Sequence, residues 1–399
     1  MRRGRFGELS SRLAPIRRLG RASLGPPLLL ILLAPPVHAE FGLNMTPGVT
    51  TTSRLVFDLH MLSLWVCVVI GVLVFGTMAY SIYRHRRSRG AVASQFHENT
   101  RLEIAWTIVP LLVLAGMAAA ATRVLVQMDD TRDSALTVKV TGYQWRWKYD
   151  YLDQGISFFS NLATDRKAIT GDAPKGEHYL REVDNPLVLP VGRKIRFVTT
   201  SNDVIHSWWV PDLGWKKDAV PGYINDAWAY IEKPGVYRGQ CAELCGKDHA
   251  FMPIVVVAKN ADDFQQWVAQ QKTQQAEAAN AAGKTWSREE LVQKGEKTYM
   301  TICAACHQAN GKGIPNVFPD LTASAVVKGD LSGHLDVVLH GRPNTAMQAF
   351  GPQLSDLEIA SVVTYERDTL GGSGEAVQPA QVKAARGAQA IHQAKGDTQ

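Results

Sequence analysis

The sequence predicts a multidomain protein that joins a two-helix transmembrane hairpin, an all-β sandwich or barrel with Greek-key connections, and an all-α domain. Three observations lead to this fold class. Two long apolar runs lie in the first third of the chain, short β-rich runs split by Pro and Gly follow them, and the last third shows a helical pattern with loops. At 399 residues the chain is long enough for two or three domains.

The N-terminal segment predicts a signal peptide over residues 1–39. Several arginines precede the short apolar core "PPLLLILLAPPV", and "VHAE" supplies a small-residue cleavage pattern after Ala39. The alternative is a short membrane anchor, but the apolar run is too short to span a bilayer and is interrupted by prolines.

Residues 40–127 are predicted to form an N-terminal segment and two transmembrane helices. "LWVCVVIGVLVFGTMAYSIY" and "IAWTIVPLLVLAGMAAAA" are each long and apolar enough to span, and "RHRRSRG" lies between them. Because clustered arginines stay on the cytoplasmic side, the chain after the second helix is expected outside, in the periplasm of a bacterium. The net charge of +6 reflects this topology, and no basic stripe interleaved with aromatics indicates a nucleic-acid partner.

The remaining chain divides into four predicted segments. Residues 128–262 have the pattern of short strands separated by Pro and Gly turns and are predicted to form the all-β domain. Residues 263–285 are predicted to begin as a helix that decays into an Ala/Gln/Gly linker. Residues 286–371 form the helical domain. Residues 372–399, rich in Ala, Gln and Gly, are expected to be disordered.

The loop "CAELCGKDHAFM" predicts a site for soft metal ions. Cys241, Cys245, His249 and Met252 supply two thiolates, an imidazole and a thioether, and His206 in "DVIHSWW" offers a further imidazole. A thioether beside thiolates favours copper. A structural zinc ion and a disulfide between the two cysteines are the alternatives that the spacing leaves open.

The second loop, "CAACH", carries the attachment signature of a c-type haem. Cys303 and Cys306 are expected to form the thioethers and His307 to be the proximal iron ligand. Met347 is the expected sixth ligand, because it is the only methionine after His307 and Met300 precedes the motif on the same predicted helix. His334 and His340 remain rival sixth ligands, and a redox-active dithiol is the alternative to haem.

Several motifs together resemble a known family. C-x-E-x-C-x3-H-x2-M, preceded by "HSWWVPDLGWKKDAVPG", "YQWRWKY" and "HENTRLEIAWTIVP", is similar to cytochrome c oxidase subunit 2 from about Leu43 to Ala258. The resemblance implies a cupredoxin-like Greek-key barrel that carries the binuclear copper centre CuA. The copper ligands that it implies are His206, Cys241, Cys245, His249, Met252 and the main-chain carbonyl of Glu243.

The same resemblance implies three further roles. The side chain of Glu243 matches a family residue that reaches a magnesium ion shared with subunit 1. Trp145 matches the aromatic residue through which electrons enter, and Glu103 matches a carboxylate near the mouth of a proton channel in subunit 1.

The segment "GKGIPNVFPDL" after the haem motif resembles small class I cytochromes c, so the whole chain is similar to subunit 2 of a caa-type haem–copper oxidase. The expected route runs from haem c to CuA and then to haem a in subunit 1, where dioxygen becomes water and protons are pumped. Expected partners are subunits 1 and 3 and a donor such as a quinol–cytochrome c reductase or soluble cytochrome c. The expected location is the bacterial inner membrane.

Other functions remain open at this stage. The electron-entry subunit of a CuA-type nitric oxide reductase would share these motifs, and a membrane-anchored electron shuttle without its own oxidase would share them too. A quinol oxidase subunit 2 lacks such copper ligands and is disfavoured by Cys241 and Cys245.

Overall fold

The computed structural model of the protein describes residues 42, 44–92, 95, 97–281 and 283–396, with side chains described as far as residue 387. The signal peptide predicted for residues 1–39 therefore lies outside the described residues. All elements below belong to the unit Met45–Gln399.

Two long apolar helices form the first part of this unit. Helix α1 spans Thr51–Arg84 and helix α2 spans Thr100–Asp129, with a short 3-10 turn at Arg87–Arg89 between them. At 1.5 Å per residue they are about 51 and 45 Å long, more than the roughly 30 Å hydrocarbon core of a bilayer. Their apolar side chains face outward, and both helices are long and apolar enough to cross a membrane. The predicted hairpin is confirmed in this respect.

The start of α1 and the end of α2 are attached to the domain that follows. Thr50 caps α1 by accepting a hydrogen bond from the Ser53 amide, and its hydroxyl donates to the carbonyl of Leu213 at 2.9 Å. At the end of α2, the indole of Trp228 donates to the carbonyl of Gln127 at 3.2 Å. These contacts hold the membrane helices against one side of the next domain.

That domain is all-β, as the sequence predicts. Its ten strands are β1 (Leu136–Tyr143), β2 (Arg146–Tyr151), β3 (Ile156–Ser160), β4 (Leu187–Pro190), β5 (Lys194–Ser201), β6 (His206–Val210), β7 (Trp215–Ala219), β8 (Asn225–Tyr230), β9 (Gly235–Cys241) and β10 (Pro253–Lys259). A short helix, α3 (Arg166–Thr170), lies in the connection between β3 and β4.

The strands form two five-stranded sheets. Their orders are β3-β2-β1-β5-β8 and β4-β10-β9-β6-β7. The pairs β1–β5 and β4–β10 are parallel and the others are antiparallel, so the chain crosses repeatedly between the sheets. Large apolar side chains fill the core, and Trp147, Phe197 and Trp208 are fully buried. This is a cupredoxin-like β-sandwich.

The segment predicted to decay into a flexible linker is instead one continuous helix. Helix α4 spans Ala261–Ala281, and its first turns bury Phe264 and Val268 against the β domain. The ring of Trp267 lies 5.1 Å from that of Tyr151, measured between centroids. The sequence interpretation was wrong here because Ala and Gln are good helix formers, and the packed first turns supply a nucleus from which the helix extends.

The C-terminal domain is helical. Its helices are α5 (Arg288–Thr298), α6 (Ala304–His307), α7 (Ala325–Lys328), α8 (Leu331–His340) and α9 (Asp356–Tyr365), with π-helical turns at Tyr299–Cys303 and Glu366–Leu370. Helices α5 and α9 pack closely at Gly295, where an added Cβ would lie only 2.0 Å from the carbonyl oxygen of Ser361. The glycine therefore allows the two backbones to cross in contact.

The tail predicted to be disordered contributes to this core. Helix α10 spans Pro379–Gly396, and the side chains of Val377 and Val382 are fully buried. Arg386 donates from Nη2 to the carbonyl of Leu354 at 2.6 Å and from Nε to Asp356 at 2.6 Å. The prediction failed for this part of the segment because two buried valines and one arginine, spread through Ala and Gln, leave a weak apolar signal in sequence.

Candidate metal centre and haem site

Two adjacent strands bring the first set of predicted ligands together. His206 is the first residue of β6 and Cys241 is the last residue of β9, and these strands pair with Trp208 opposite Cys241. Cys245 and Met252 follow on the loop that leads to β10. The side chains of all four residues are almost completely buried, with exposed fractions of 3% or less.

The six predicted copper donors form a chain of close contacts. The two cysteine sulfurs lie 3.8 Å apart. Nδ1 of His206 is 3.9 Å from Sγ of Cys241, and Nδ1 of His249 is 3.4 Å from Sγ of Cys245. The remaining two donors complete the set, with Sδ of Met252 at 3.5 Å from Sγ of Cys245 and the Glu243 carbonyl at 3.3 Å from Sγ of Cys241.

This donor set fits soft metal ions. Each cysteine sulfur contacts a different imidazole, so two thiolates, two imidazoles, a thioether and a carbonyl would be available to hold copper. A single tetrahedral zinc ion would use two cysteines and two histidines and would leave the Met252 thioether and the Glu243 carbonyl without a role. The two cysteines are free, and their separation is well beyond the roughly 2.05 Å of a disulfide bond.

The two thiols are electrostatically unequal. A hydrogen bond from Cys245 lowers the pKa of Cys241 well below the ordinary thiol range, with further help from His206 and nearby backbone amides. The same contact, together with burial, raises the pKa of Cys245. The pocket therefore already stabilises one thiolate, which is the form that binds a soft metal ion.

The buried imidazole of His206 is held by its surroundings. Its Nε2 lies 2.8 Å from Oδ1 of Asp203, so that Nδ1 is left to face Cys241. An added Cβ at Gly142 would lie 2.7 Å from the ring, so this position has room only for glycine. Burial alone would lower the pKa of His206, but Asp203 and Cys241 raise it overall.

Trp145 lies beside the metal loop, and Glu243 is part of that loop. The half-buried indole of Trp145 donates to the carbonyl of Cys245 at 3.1 Å. Glu243 directs its backbone carbonyl towards Cys241, whereas the residue itself is exposed. Its side chain is therefore accessible to a neighbouring subunit.

Glu103 is not part of this cluster. It lies exposed in the first turn of α2, near the Asn99 cap. The end of α2 at Asp129 is 26 residues later, or about 39 Å along the helix. The carboxylate and the metal loop are consequently on opposite sides of the predicted membrane span.

The C-x-x-C-H motif lies where the π-helical turn Tyr299–Cys303 meets α6. Cys303 and Cys306 are free and half-buried, and burial raises the pKa of both thiols. Nδ1 of His307 is 3.1 Å from the carbonyl oxygen of Pro319, which fixes the ring and leaves Nε2 to bind iron. The residues therefore fit covalent attachment of haem with a proximal histidine.

The predicted sixth ligand and its rivals have different environments. Met347 is half-buried in the loop after α8, where the Arg342 amide donates to its carbonyl at 3.0 Å. His334 is buried with Nε2 at 2.9 Å from Glu366, and exposed His340 has Nδ1 at 3.0 Å from Asp336. Both histidines thus have one ring nitrogen engaged by a carboxylate. Iron ligation by Met347 stays a prediction.

Sequence reasoning missed one set of residues that connects the two sites. The buried guanidinium of Arg146 donates to Gln353 of the helical domain at 2.6 Å, and Gln348 donates to Asp203 at 3.2 Å. The only signal in the sequence was position, because Arg146 follows Trp145 and Gln348 follows Met347. Neither glutamine stands out by its type or spacing.

Comparison with known proteins gives three family matches along the chain. The model described as "Cytochrome C oxidase subunit II, transmembrane domain" matches residues 38–124, and "Cytochrome C oxidase subunit II, periplasmic domain" matches residues 136–259. The model described as "Cytochrome C oxidase, cbb3-type, subunit III" matches residues 290–365. The last match covers the helical domain with the C-x-x-C-H motif.

Individual relatives agree with these matches. The chain is 36% identical over 228 residues to "Probable cytochrome c oxidase subunit 2" of Rickettsia prowazekii, which covers 57% of this chain and 71% of that protein. It is 38% identical over 229 residues to cytochrome c oxidase subunit 2 of Oenothera berteroana, covering 57% and 89%. A solved structure of the periplasmic domain of cytochrome oxidase subunit II from Bradyrhizobium japonicum is 40% identical and covers 36% of this chain and 99% of that one, with a TM-score of 0.33.

Proposed function

The chain belongs to the cytochrome c oxidase subunit II family, and we propose from this that it is subunit 2 of a caa-type oxidase. In this role it would pass electrons from a covalent haem c to CuA and on to haem a in subunit 1, where dioxygen is reduced to water with proton pumping. The matches to the family's transmembrane and periplasmic domains support the proposal that the electron-carrying part of the chain lies outside the bilayer.

One observation carries the proposal. A six-donor cluster suited to two bridged copper ions and a C-x-x-C-H helix suited to haem occur on one chain, in domains that touch through Arg146 and Gln353. When bound, binuclear copper and covalent haem c each supply a carrier of single electrons. The chain has to hold both groups at a fixed separation and exclude water from them.

A separate set of residues is proposed for each of these tasks. His206, Cys241, Cys245, His249, Met252 and the Glu243 carbonyl would hold copper. Cys303 and Cys306 would attach haem, with His307 and Met347 as its axial ligands. Trp145, whose indole bonds the Cys245 carbonyl, would be the electron entry to copper.

Further proposals concern the interface with partner subunits. The exposed side chain of Glu243 would reach a magnesium ion shared with subunit 1, and Glu103 at the start of α2 would lie at a proton entry of that subunit. Subunit 3 and a donor such as a quinol–cytochrome c reductase or soluble cytochrome c complete the proposed partners. The bacterial inner membrane is the proposed location, after removal of residues 1–39.

We propose that the chain divides into domains as follows. Residues 40–127 form the membrane part, 128–262 the CuA domain and 286–371 the core of the cytochrome domain. The connection 263–285 is helical through Ala281, and the segment from 372 onward contributes Val377 and Val382 to the cytochrome domain.

Metal and haem analysis of the purified subunit tests the proposal. We expect two copper ions and one covalent haem per chain. Cys245→Ser should abolish the mixed-valence copper signal and leave the haem attached, because the two sites use separate ligands. Cys67→Ser, which changes an exposed cysteine of α1, is the matched control and should retain both groups. One zinc ion in place of copper in the unmodified chain would contradict the proposed function.

A further inference from the structure

A continuous line of hydrogen bonds crosses from one domain to the other and back. Nη2 of Arg146 donates to Oε1 of Gln353 at 2.6 Å, and Nε2 of Gln353 donates to Oε1 of Gln348 at 3.4 Å. Nε2 of Gln348 then donates to Oδ2 of Asp203 at 3.2 Å. The two end residues belong to the β domain and the two glutamines to the helical domain, and we refer to these four residues as the glutamine relay.

The donor and acceptor groups of the four side chains fix the direction in which hydrogen bonds are donated along the glutamine relay. A guanidinium can only donate hydrogen bonds and a carboxylate can only accept them, whereas an amide has one face of each kind. Each glutamine therefore turns its oxygen towards Arg146 and its NH2 towards Asp203. The amide dipoles align between a positive and a negative charge, which strengthens each hydrogen bond in a region shielded from water.

The relay is shielded from solvent at its arginine end. Arg146 and Gln353 are only 5% and 6% exposed, and the guanidinium carbon lies 4.1 Å from the centre of the Phe159 ring. Burial lowers the pKa of Arg146 to about 10. A buried cation without hydrogen bonds would be strongly unfavourable, so removal of the helical domain would leave Arg146 needing new partners.

Three of the four relay residues adjoin a residue of the two sites. Arg146 follows Trp145, and Gln348 follows Met347. Asp203 contacts the ring of His206 through its second oxygen at 2.8 Å. The loop that carries the predicted iron ligand is thereby joined to a predicted copper ligand by two hydrogen bonds and one carboxylate.

We propose that the glutamine relay holds the haem domain on the copper domain as a permanent intramolecular dock that salt does not loosen. The physical basis is that both charges lie on the copper domain and are met by uncharged amides. Docking through opposite charges on two partners weakens as salt screens them. Here the direct hydrogen bonds across the interface join a charged group to a neutral amide, and Glu358 of the helical domain acts on the buried Arg146 without a hydrogen bond to it. The electron-transfer role of this dock rests on the proposed function, whereas the docking itself does not.

Gln348→Glu is the main test variant, measured in the purified oxidase complex. It places a carboxylate against Asp203, so the domains should separate and the rate of electron transfer from photoreduced haem to copper should fall about tenfold or more. High salt should restore part of that rate by screening the repulsion. The unmodified protein should transfer at one rate at low and high salt. Gln293→Glu adds the same charge on an exposed part of α5 and should behave like the unmodified protein.

Hydrogen–deuterium exchange separates docking from electron transfer. Segments 143–148 and 348–354 should be protected in the unmodified complex at all salt concentrations and should lose protection in Gln348→Glu. Gln353→Met, which keeps the side-chain size and removes the amide without adding charge, should lose protection in the same segments. Protection of the unmodified protein that disappears in high salt, or protection retained in both variants, would overturn the dock. Protection without any electron reaching copper would instead contradict the proposed function.

Discussion

The carboxylate of Asp203 lies 2.8 Å from Nε2 of His206, while its other oxygen accepts a hydrogen bond from Gln348 of the helical domain at 3.2 Å. One side chain thus orients a predicted copper ligand and anchors the predicted electron donor. Because Asp203 is held in turn by the Gln144 and Val204 amides, both at 2.7 Å, its position is well determined. The two sites of the chain share this residue.

Asp203→Ala should weaken copper binding about 10- to 100-fold, which is the usual effect of removing a carboxylate that orients a metal-binding histidine. The His206 ring would lose the bond that turns Nδ1 towards Cys241. Competition with a copper chelator measures the change. Asp263→Ala, at an exposed position of α4, should retain normal affinity, and equal copper affinity in the two variants would show that Asp203 has no orienting role.

Met347→Ala should leave the haem attached, since the thioethers of Cys303 and Cys306 are unchanged. Loss of a thioether ligand should lower the haem reduction potential and open a coordination position. Redox titration and binding of an added ligand followed by absorbance measure both effects. An unchanged spectrum and potential would identify His334 or His340 as the sixth ligand, and Met300→Leu serves as the control.

Glu103→Gln should slow proton uptake and oxygen reduction by the complex without changing the copper spectrum. The carboxylate is about 39 Å along α2 from the copper side of the helix, so an effect on the metal would have to be indirect. Turnover measured across pH tests this. Glu98→Gln, which removes a nearby exposed carboxylate, is the control, and normal turnover of Glu103→Gln at every pH would make the residue a simple helix-end charge.

Truncation after Gln271 should remove the helical domain and leave the copper site intact. The shortened chain keeps Phe264, Trp267 and Val268, which pack on the β domain, as well as all predicted copper ligands. It loses a donor that is attached to the same chain and docked on the copper domain, so the delivery of electrons changes from an intramolecular to a bimolecular step. Turnover should then depend on added soluble cytochrome c and should fall as salt rises.

A small reductant that reduces copper directly is the control for this truncation, because full-length and truncated enzymes should respond to it alike. Loss of copper from the truncated chain would show that the helical domain is needed for the metal site. Full turnover at low cytochrome c concentration would show that the haem domain is not the donor.

Val382→Ala should destabilise the helical domain by about 2 kcal/mol, through lost burial of apolar surface and the cavity that remains. Val382 is fully buried in α10, in a segment where sequence composition predicted disorder. Thermal unfolding followed by haem absorbance measures the change. The neighbouring exposed change Lys383→Ala should have little effect, and an equally small effect of Val382→Ala would mean that α10 does not support the domain.

The sequence by itself determined the parts of the protein that depend on short-range spacing. Cys241, Cys245, His249 and Met252 lie on one loop of twelve residues, so their meeting required only that the loop fold back on itself. The C-x-x-C-H motif and the two apolar spans are local in the same way. Because these signals do not depend on distant parts of the chain, composition and spacing were enough to predict them.

The tertiary structure decided everything that depends on distant segments. Pairing of β6 with β9 places His206 against Cys241, 35 residues away. The contacts of Arg146 with Gln353 and of Asp203 with Gln348 join residues 207 and 145 positions apart. A glutamine is neutral and common on protein surfaces, so its presence in the sequence does not indicate which residue it contacts. Only the packing of one domain on the other buries Arg146 and gives these amides their charged partners.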